Sequence, residues 1–130
     1  MKLLIQPTDY TCGQTCVAMV SGQPVDKVRK IFKEGFGKKH WFGEKTSTKD
    51  MVRALRILKI RSRRKIERMT KHTILPRLCI ARIRFLGSKS ISHWVVCDNT
   101  GDRLQVLDPW YGNDKNWPPG THITSFIEIL

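Results

Sequence analysis

The hydrophobic pattern divides the chain into two halves with different periods. Toward the N-terminus apolar positions recur at helical spacing, whereas toward the C-terminus they fall in short, partly alternating blocks bounded by turn residues, as strands do. Cys16-Val17-Ala18-Met19-Val20 is apolar throughout, which predicts a buried helix approached tightly through Gly13 and broken at Ser21-Gly22. Pro24 then suits the first turn of a second helix. Val25, Val28, Ile31 and Phe32 share one face of it and Lys27, Arg29, Lys30 and Lys33 occupy much of the rest, the pattern of a surface helix packed on a core, stopped by Gly35-Phe36-Gly37. Ser47 followed three residues later by Asp50 resembles a capping box and precedes Met51, Val52, Leu55 and Leu58 at helical spacing. A third helix is expected over about residues 48–59.

Beyond that point the period shortens. A strand is expected near residues 59–63, another from Leu78 to Phe85 after Pro76, and a third from Ser92 to Cys97 after the Gly87-Ser88-Lys89-Ser90 turn. The turn residues Asp98-Asn99-Thr100-Gly101-Asp102 return the chain to a partner strand over 103–107, and residues 123–130 supply a final strand. Helices first and an antiparallel sheet afterwards make an α+β arrangement. The loop over 38–45 carries His40, Trp41 and Phe42, aromatics that either line a groove or pin the loop to the body.

With 130 residues, no linker and no repeat, residues 1–130 are expected to form a single domain with a core of its own. The N-terminus is apolar for only three residues, Leu3-Leu4-Ile5, short of the apolar region of a signal peptide, so none is expected, and no later segment approaches a membrane span. A soluble, cytoplasmic protein is expected. Cys12, Cys16, Cys79 and Cys97 show no secreted disulfide framework, so reduced thiols are expected, and since Cys12 and Cys16 are the only close pair, no metal or cofactor is expected either. The formal charge of +13 is concentrated: between Arg53 and Arg84 twelve Lys or Arg face the single acid Glu67. Such a stripe either attracts an acidic protein, anionic lipid or nucleic acid, or forms a solvated face.

Within this frame one residue invites chemistry. Cys12 stands where the first helix begins, and the positive end of a helix dipole with its unpaired N–H groups favours thiolate, the nucleophilic form. A base and its orienter come from the hairpin. If the turn after Cys97 is regular, Cys97 pairs with Leu104, Val95 with Val106 and His93 with Asp108, which puts an imidazole and a carboxylate within bonding reach on an otherwise apolar sheet face. Taken singly, Asp108 is also an ordinary Asp-Pro turn starter and His93 an ordinary strand histidine. His40, His72 and His122 lack a comparable acidic neighbour.

With these residues, the chain resembles the papain-like cysteine peptidases, most closely the bacteriocin-processing peptidases that cut after a double-glycine leader. The resemblance covers most of the chain and rests on Gln6 followed by Cys12 in Gln-Pro-Thr-Asp-Tyr-Thr-Cys-Gly-Gln-Thr-Cys, on His93 in His-Trp-Val-Val, and on Asp108 in Leu-Asp-Pro. It implies a papain-like fold, with the nucleophile at the first helix N-terminus and the helices packed on the sheet. It also implies that Cys12 attacks, His93 exchanges protons, Asp108 orients His93 and Gln6 helps form the oxyanion hole. Relatives commonly carry Asp directly before the nucleophile; here Thr11 does so and the acid sits back at Asp9. Bacteriocin-processing domains head a membrane transporter, so a chain without a span looks like a stand-alone member. The expected function is peptide-bond hydrolysis. Alternatives are a deamidase or transferase effector using the same thioester chemistry, and a non-catalytic basic module binding nucleic acid or an acidic partner.

Overall fold

The computed structural model describes residues 1–37, 46–85 and 92–130. Three helices precede a five-stranded sheet, so the α+β order read from the sequence holds. The aromatics of the 38–45 loop and the 87–90 turn lie outside the described residues. Helix α1 (Cys12–Ser21) is buried from Cys12 through Met19 and ends where Gly22 takes φ 69°, a left-handed cap that costs glycine nothing. Helix α2 (Val25–Gly35) is preceded by Pro24 and buries Val28 and Phe32, and Phe36 at its end packs edge-on against Phe32 with ring centroids 5.1 Å apart. Helix α3 (Thr48–Ile57) starts as expected: the Ser47 hydroxyl accepts from the Asp50 backbone N–H at 3.2 Å.

The strands are β1 (Glu67–Arg68), β2 (Leu78–Arg84), β3 (Ser92–Asp98), β4 (Gln105–Leu107) and β5 (His122–Glu128). They form one antiparallel sheet in the order β1-β5-β2-β3-β4. No strand forms over 59–63. Instead Lys59 adopts φ 61° and the N–H of Ile60 bonds back to the Leu55 carbonyl at 2.8 Å, so these residues close α3. Ser62 then makes only an isolated bridge to Ile129.

Alternation along β2, β3 and β5 creates two cores. Ile80, Trp94, Val96 and Ile127 meet the helices through Val17, Phe32, Met51 and Leu55. The opposite face carries Cys79, Ala81, Ile83, Val95, Cys97, Val106 and Phe126, with Met69, Leu75, Phe85, Trp117 and Ile123 packed against them. Phe32, Leu55 and Ile127 are wholly removed from water, a contribution of roughly 1.5–3 kcal/mol per side chain. Cys12, Cys16, Cys79 and Cys97 are all free thiols. Among the described residues no helix is long and apolar enough to cross a membrane.

The hairpin register differs from the expected one by two residues. Val96 pairs with Leu107, Cys97 with Val106 and Asp98 with Gln105. The turn is longer because Asp98 starts it, its Oδ1 accepting from the Thr100 N–H at 3.0 Å and the Thr100 hydroxyl at 2.6 Å. Arg103 and Leu104 are left in the exposed loop. An even shift leaves every side chain on its original face. His93, Val95, Cys97, Val106 and Asp108 therefore keep the shared side that the alternation gave them.

Candidate active site

The β3/β4 ladder stops at Leu107, and the chain then folds into a tight loop. Asp108 N–H bonds to Gly112 O at 3.0 Å and Gly112 N–H to Asp108 O at 2.8 Å, with Gly112 at φ 86°. Inside this loop the Asp108 side chain is fully buried. Its Oδ1 accepts from the Trp110 N–H at 2.8 Å, the Tyr111 N–H at 3.0 Å and His93 Nε2–H at 2.6 Å. Its Oδ2 accepts from the Trp117 indole at 2.7 Å. The two sequence readings of Asp108 are thus both true: the carboxylate that starts the turn is also the partner of His93.

That carboxylate governs the histidine. Burial works to lower the His93 pKa, but the hydrogen bond to Asp108 and the hydrogen bond and charge of Cys12 outweigh it and hold the imidazolium to about 9. Burial likewise works to raise Asp108, and the His93 bond and charge with the Trp110 and Tyr111 N–H groups bring it below the usual carboxylate range. Since Nε2 faces Asp108, Nδ1 is the ring nitrogen left for the thiol. Phe85 stacks on the imidazole at 6.2 Å, Tyr111 meets it edge-on at 6.4 Å, and Phe85 and Tyr111 meet each other at 5.8 Å, so the ring sits against a contiguous aromatic cluster.

Cys12 opens α1, and the capping there contrasts with that of α3. Thr11, in the cap position, makes no side-chain bond to the helix. Its hydroxyl donates instead to the Thr8 carbonyl at 2.7 Å. No acid occupies the first turn. The opening N–H groups are thereby left without side-chain capping beside a nearly buried thiol. Gly13 is required by its surroundings: a Cβ there would lie 2.9 Å from the Thr46 Cβ, and Thr46 is in turn fixed by the Trp94 indole donating to its carbonyl at 3.3 Å. Tyr10, two residues ahead of the thiol, holds a left-handed backbone at φ 67° that turns the chain into the helix.

Gln6 is tied to the same loop as Asp108, its backbone N–H donating to the Pro109 carbonyl at 2.9 Å. Its side-chain amide is nearly buried, with one Nε2–H donating to Thr8 O at 2.9 Å. One N–H remains for another acceptor. Gln6 Oε1 has no hydrogen-bond partner among the described residues.

All four residues picked out in the sequence are at least nine-tenths buried. His93 and Asp108 are in direct contact, Cys12 acts on the His93 titration, and Gln6 is tied by its backbone to Pro109, next to Asp108. Cys16 lies one turn behind Cys12, and burial first, then the neighbouring Cys12, Asp108 and Cys97, push its thiol well up. Its proton stays on. His72 and His122 are remote from this constellation in the hydrogen-bond pattern, His122 bonding only to Gly120 O at 3.1 Å. Sequence reasoning missed Trp117, Tyr111 and Phe85. Trp117 had a usable signal: an indole N–H in a folded chain wants an acceptor, and Asp108 lies nine residues away. Among the described residues no group of three or more His, Cys, Asp or Glu is placed to hold a metal ion.

No protein-family model matches the chain, and no curated protein matches it at a significant level.

Proposed function

We propose that the chain is a papain-like cysteine peptidase in which Cys12, His93, Asp108 and Gln6 hydrolyse a peptide bond. The observation that carries the reading is the buried 2.6 Å contact between His93 Nε2 and Asp108 Oδ1, made by a histidine on which the nearly buried Cys12, first residue of a helix, also acts to raise the pKa. A buried charged pair of this kind is costly unless it has work to do.

In the reaction, the Cys12 thiolate attacks the carbonyl carbon, forming a C–S bond and moving the carbonyl π electrons onto oxygen. The second Gln6 N–H and the Cys12 backbone N–H donate to that oxyanion, each donor contributing about 3 kcal/mol where such donors have been removed. As the oxyanion collapses, the C–N bond breaks and the His93 imidazolium gives its proton to the leaving amine. Neutral His93 then takes a proton from water, whose oxygen attacks the thioester carbon; as the second oxyanion collapses the C–S bond breaks, the acid product leaves, and the Cys12 thiolate and His93 imidazolium are restored. Asp108 holds the ring throughout and does not itself change protonation.

The test is alkylation by iodoacetamide near neutral pH, with the modified cysteine mapped by peptide mass. Cys12 is expected to be labelled selectively, at a rate that falls at least tenfold in His93→Ala. Labelling spread evenly over the four thiols and indifferent to His93 would remove the basis for a nucleophile.

A further inference from the structure

The basic stripe is redistributed by folding. Arg82 lies over the Trp94 ring at 4.6 Å and donates to Thr48 Oγ1 at 3.1 Å, and Arg63 pairs with Glu128 at 3.3 Å. Both are spent on structure. Arg53 is also engaged, over the Phe36 ring at 4.4 Å and beside Asp50 at 3.7 Å. Five of the other nine, Arg56, Lys59, Arg61, Arg64 and Lys65, gather with Lys49 along α3 and the segment that follows it.

Two grooves adjoin there and share Val52, Arg56 and Arg64. One, of about 460 Å³, is further lined by Lys59 and Arg61, and the other, of about 740 Å³, by Lys49 and Lys65. Apolar Val52, Ile60 and Ile66 lie between the cations. No Asp or Glu lines either groove among the described residues, and Lys49, Arg56, Lys59, Arg61, Arg64 and Lys65 make no ion pair there. Neither groove shares a residue with the Cys12 site.

We propose that these joined grooves bind the phosphodiester backbone of a nucleic acid. Six like charges held at one surface without counter-charges repel one another, and a chain of phosphates relieves that repulsion along the whole length of the grooves. Three of the six are guanidiniums, whose planar donor fork suits phosphate oxygens. Among the described residues no aromatic side chain lines either groove, so the contacts these residues offer are to the backbone, where sequence preference is weak. The inference is independent of the peptidase reading.

Fluorescence anisotropy with a fluorescein-labelled 20-nucleotide single strand and a 20-base-pair duplex, titrated with the full chain from 50 to 200 mM salt, tests it. Binding that weakens steeply with salt is expected. Arg56→Ala with Arg64→Ala should weaken it ~10-fold and flatten the log–log salt slope by about 1.4 for the single strand and about 1.8 for the duplex. Lys27→Ala with Lys30→Ala removes the same charge from exposed positions of α2 and should change affinity less than twofold. Arg56→Lys with Arg64→Lys, which keeps the charge, should retain most of the salt slope and guards against loss of fold in the alanine pair. Absence of binding at 50 mM salt, equal weakening by both alanine pairs, or competition by poly-glutamate as effective as unlabelled strand at equal charge would each overturn the proposal.

Discussion

Trp117 and Asp108 are joined by a 2.7 Å hydrogen bond from the indole Nε1–H to Oδ2, so the carboxylate that holds His93 through one oxygen is itself held through the other. Trp117 directly follows the 3-10 helix Asp114–Asn116 and its N–H bonds to Asp114 O at 3.2 Å, which anchors the indole from behind. The ring packs on the sheet face opposite the helices. Positioning and packing are thus separable in this side chain.

Trp117→Phe keeps most of the apolar contact and leaves Oδ2 without its donor. A buried acceptor stripped of its partner costs about 1–3 kcal/mol, so the urea midpoint should fall accordingly with an unchanged slope. The rate of Cys12 alkylation should also drop, because a less constrained Asp108 orients His93 less well. A stability loss with labelling unchanged would reduce Trp117 to a packing residue.

The raised His93 and lowered Asp108 make stability depend on pH in two directions. The His93 contribution is complete below about 6.5, the ordinary imidazole value, and is lost as pH rises through about 9. The Asp108 contribution is complete above the usual carboxylate value and is lost as pH falls through its lower folded-state value. Denaturant midpoints should therefore decline from about pH 6.5 toward 9. Ring proton shifts of His93 should titrate near 9, and Asp108→Asn should bring that midpoint down, since the largest influence raising it is gone. A midpoint near 6.5 in both proteins would contradict the pairing.

Gly13→Ala should destabilise the start of α1, because the new Cβ meets Thr46 Cβ at 2.9 Å and Cγ2 at 3.2 Å. Crowding of this kind in a close-packed region costs about 1–3 kcal/mol. Thr46→Gly removes the opposing atoms, so a double-mutant cycle should recover at least half of the loss. Additive losses would place the strain elsewhere in the helix.

The elements whose signals are local were legible in the sequence, and those set by long-range pairing were less so. Ser47 and Asp50 announce the start of α3 because capping is decided within one turn. The hairpin register was missed by two, since it depends on where Asp98 closes its turn, a choice between neighbouring side-chain bonds that composition leaves open. His93 and Asp108 nevertheless meet, because an even slip preserves the face and the loop through Gly112 swings the carboxylate back toward β3. The strand expected over 59–63 failed for a related reason: apolar alternation there competes with closure of the preceding helix at Lys59, and the closure won. Trp117 carried a chemical signal, an indole N–H in need of an acceptor, but its bond to Asp108 is made across a loop whose path no periodicity encodes.

Gln6 offers the sharpest separation between acyl chemistry and mere thiol reactivity. Alkylation of Cys12 is a displacement at a saturated carbon and develops no oxyanion, whereas acylation by p-nitrophenyl acetate passes through one. Gln6→Ala should leave the iodoacetamide rate within about twofold while slowing acylation of Cys12 by ~10²–10³-fold, the loss expected for one oxyanion donor. Glutamate at the same position tests the sign of the interaction: Gln6→Glu brings a negative charge toward the developing oxyanion in place of an N–H and should slow acylation at least as much. The backbone bond from Gln6 to Pro109 is untouched by either change, so the loop carrying Asp108 keeps its anchor and in Gln6→Ala the His93 titration should stay near 9. Equal slowing of alkylation and acylation would mean that Gln6 shapes the thiol rather than the oxyanion, and the glutamine would lose its role in the proposed reaction.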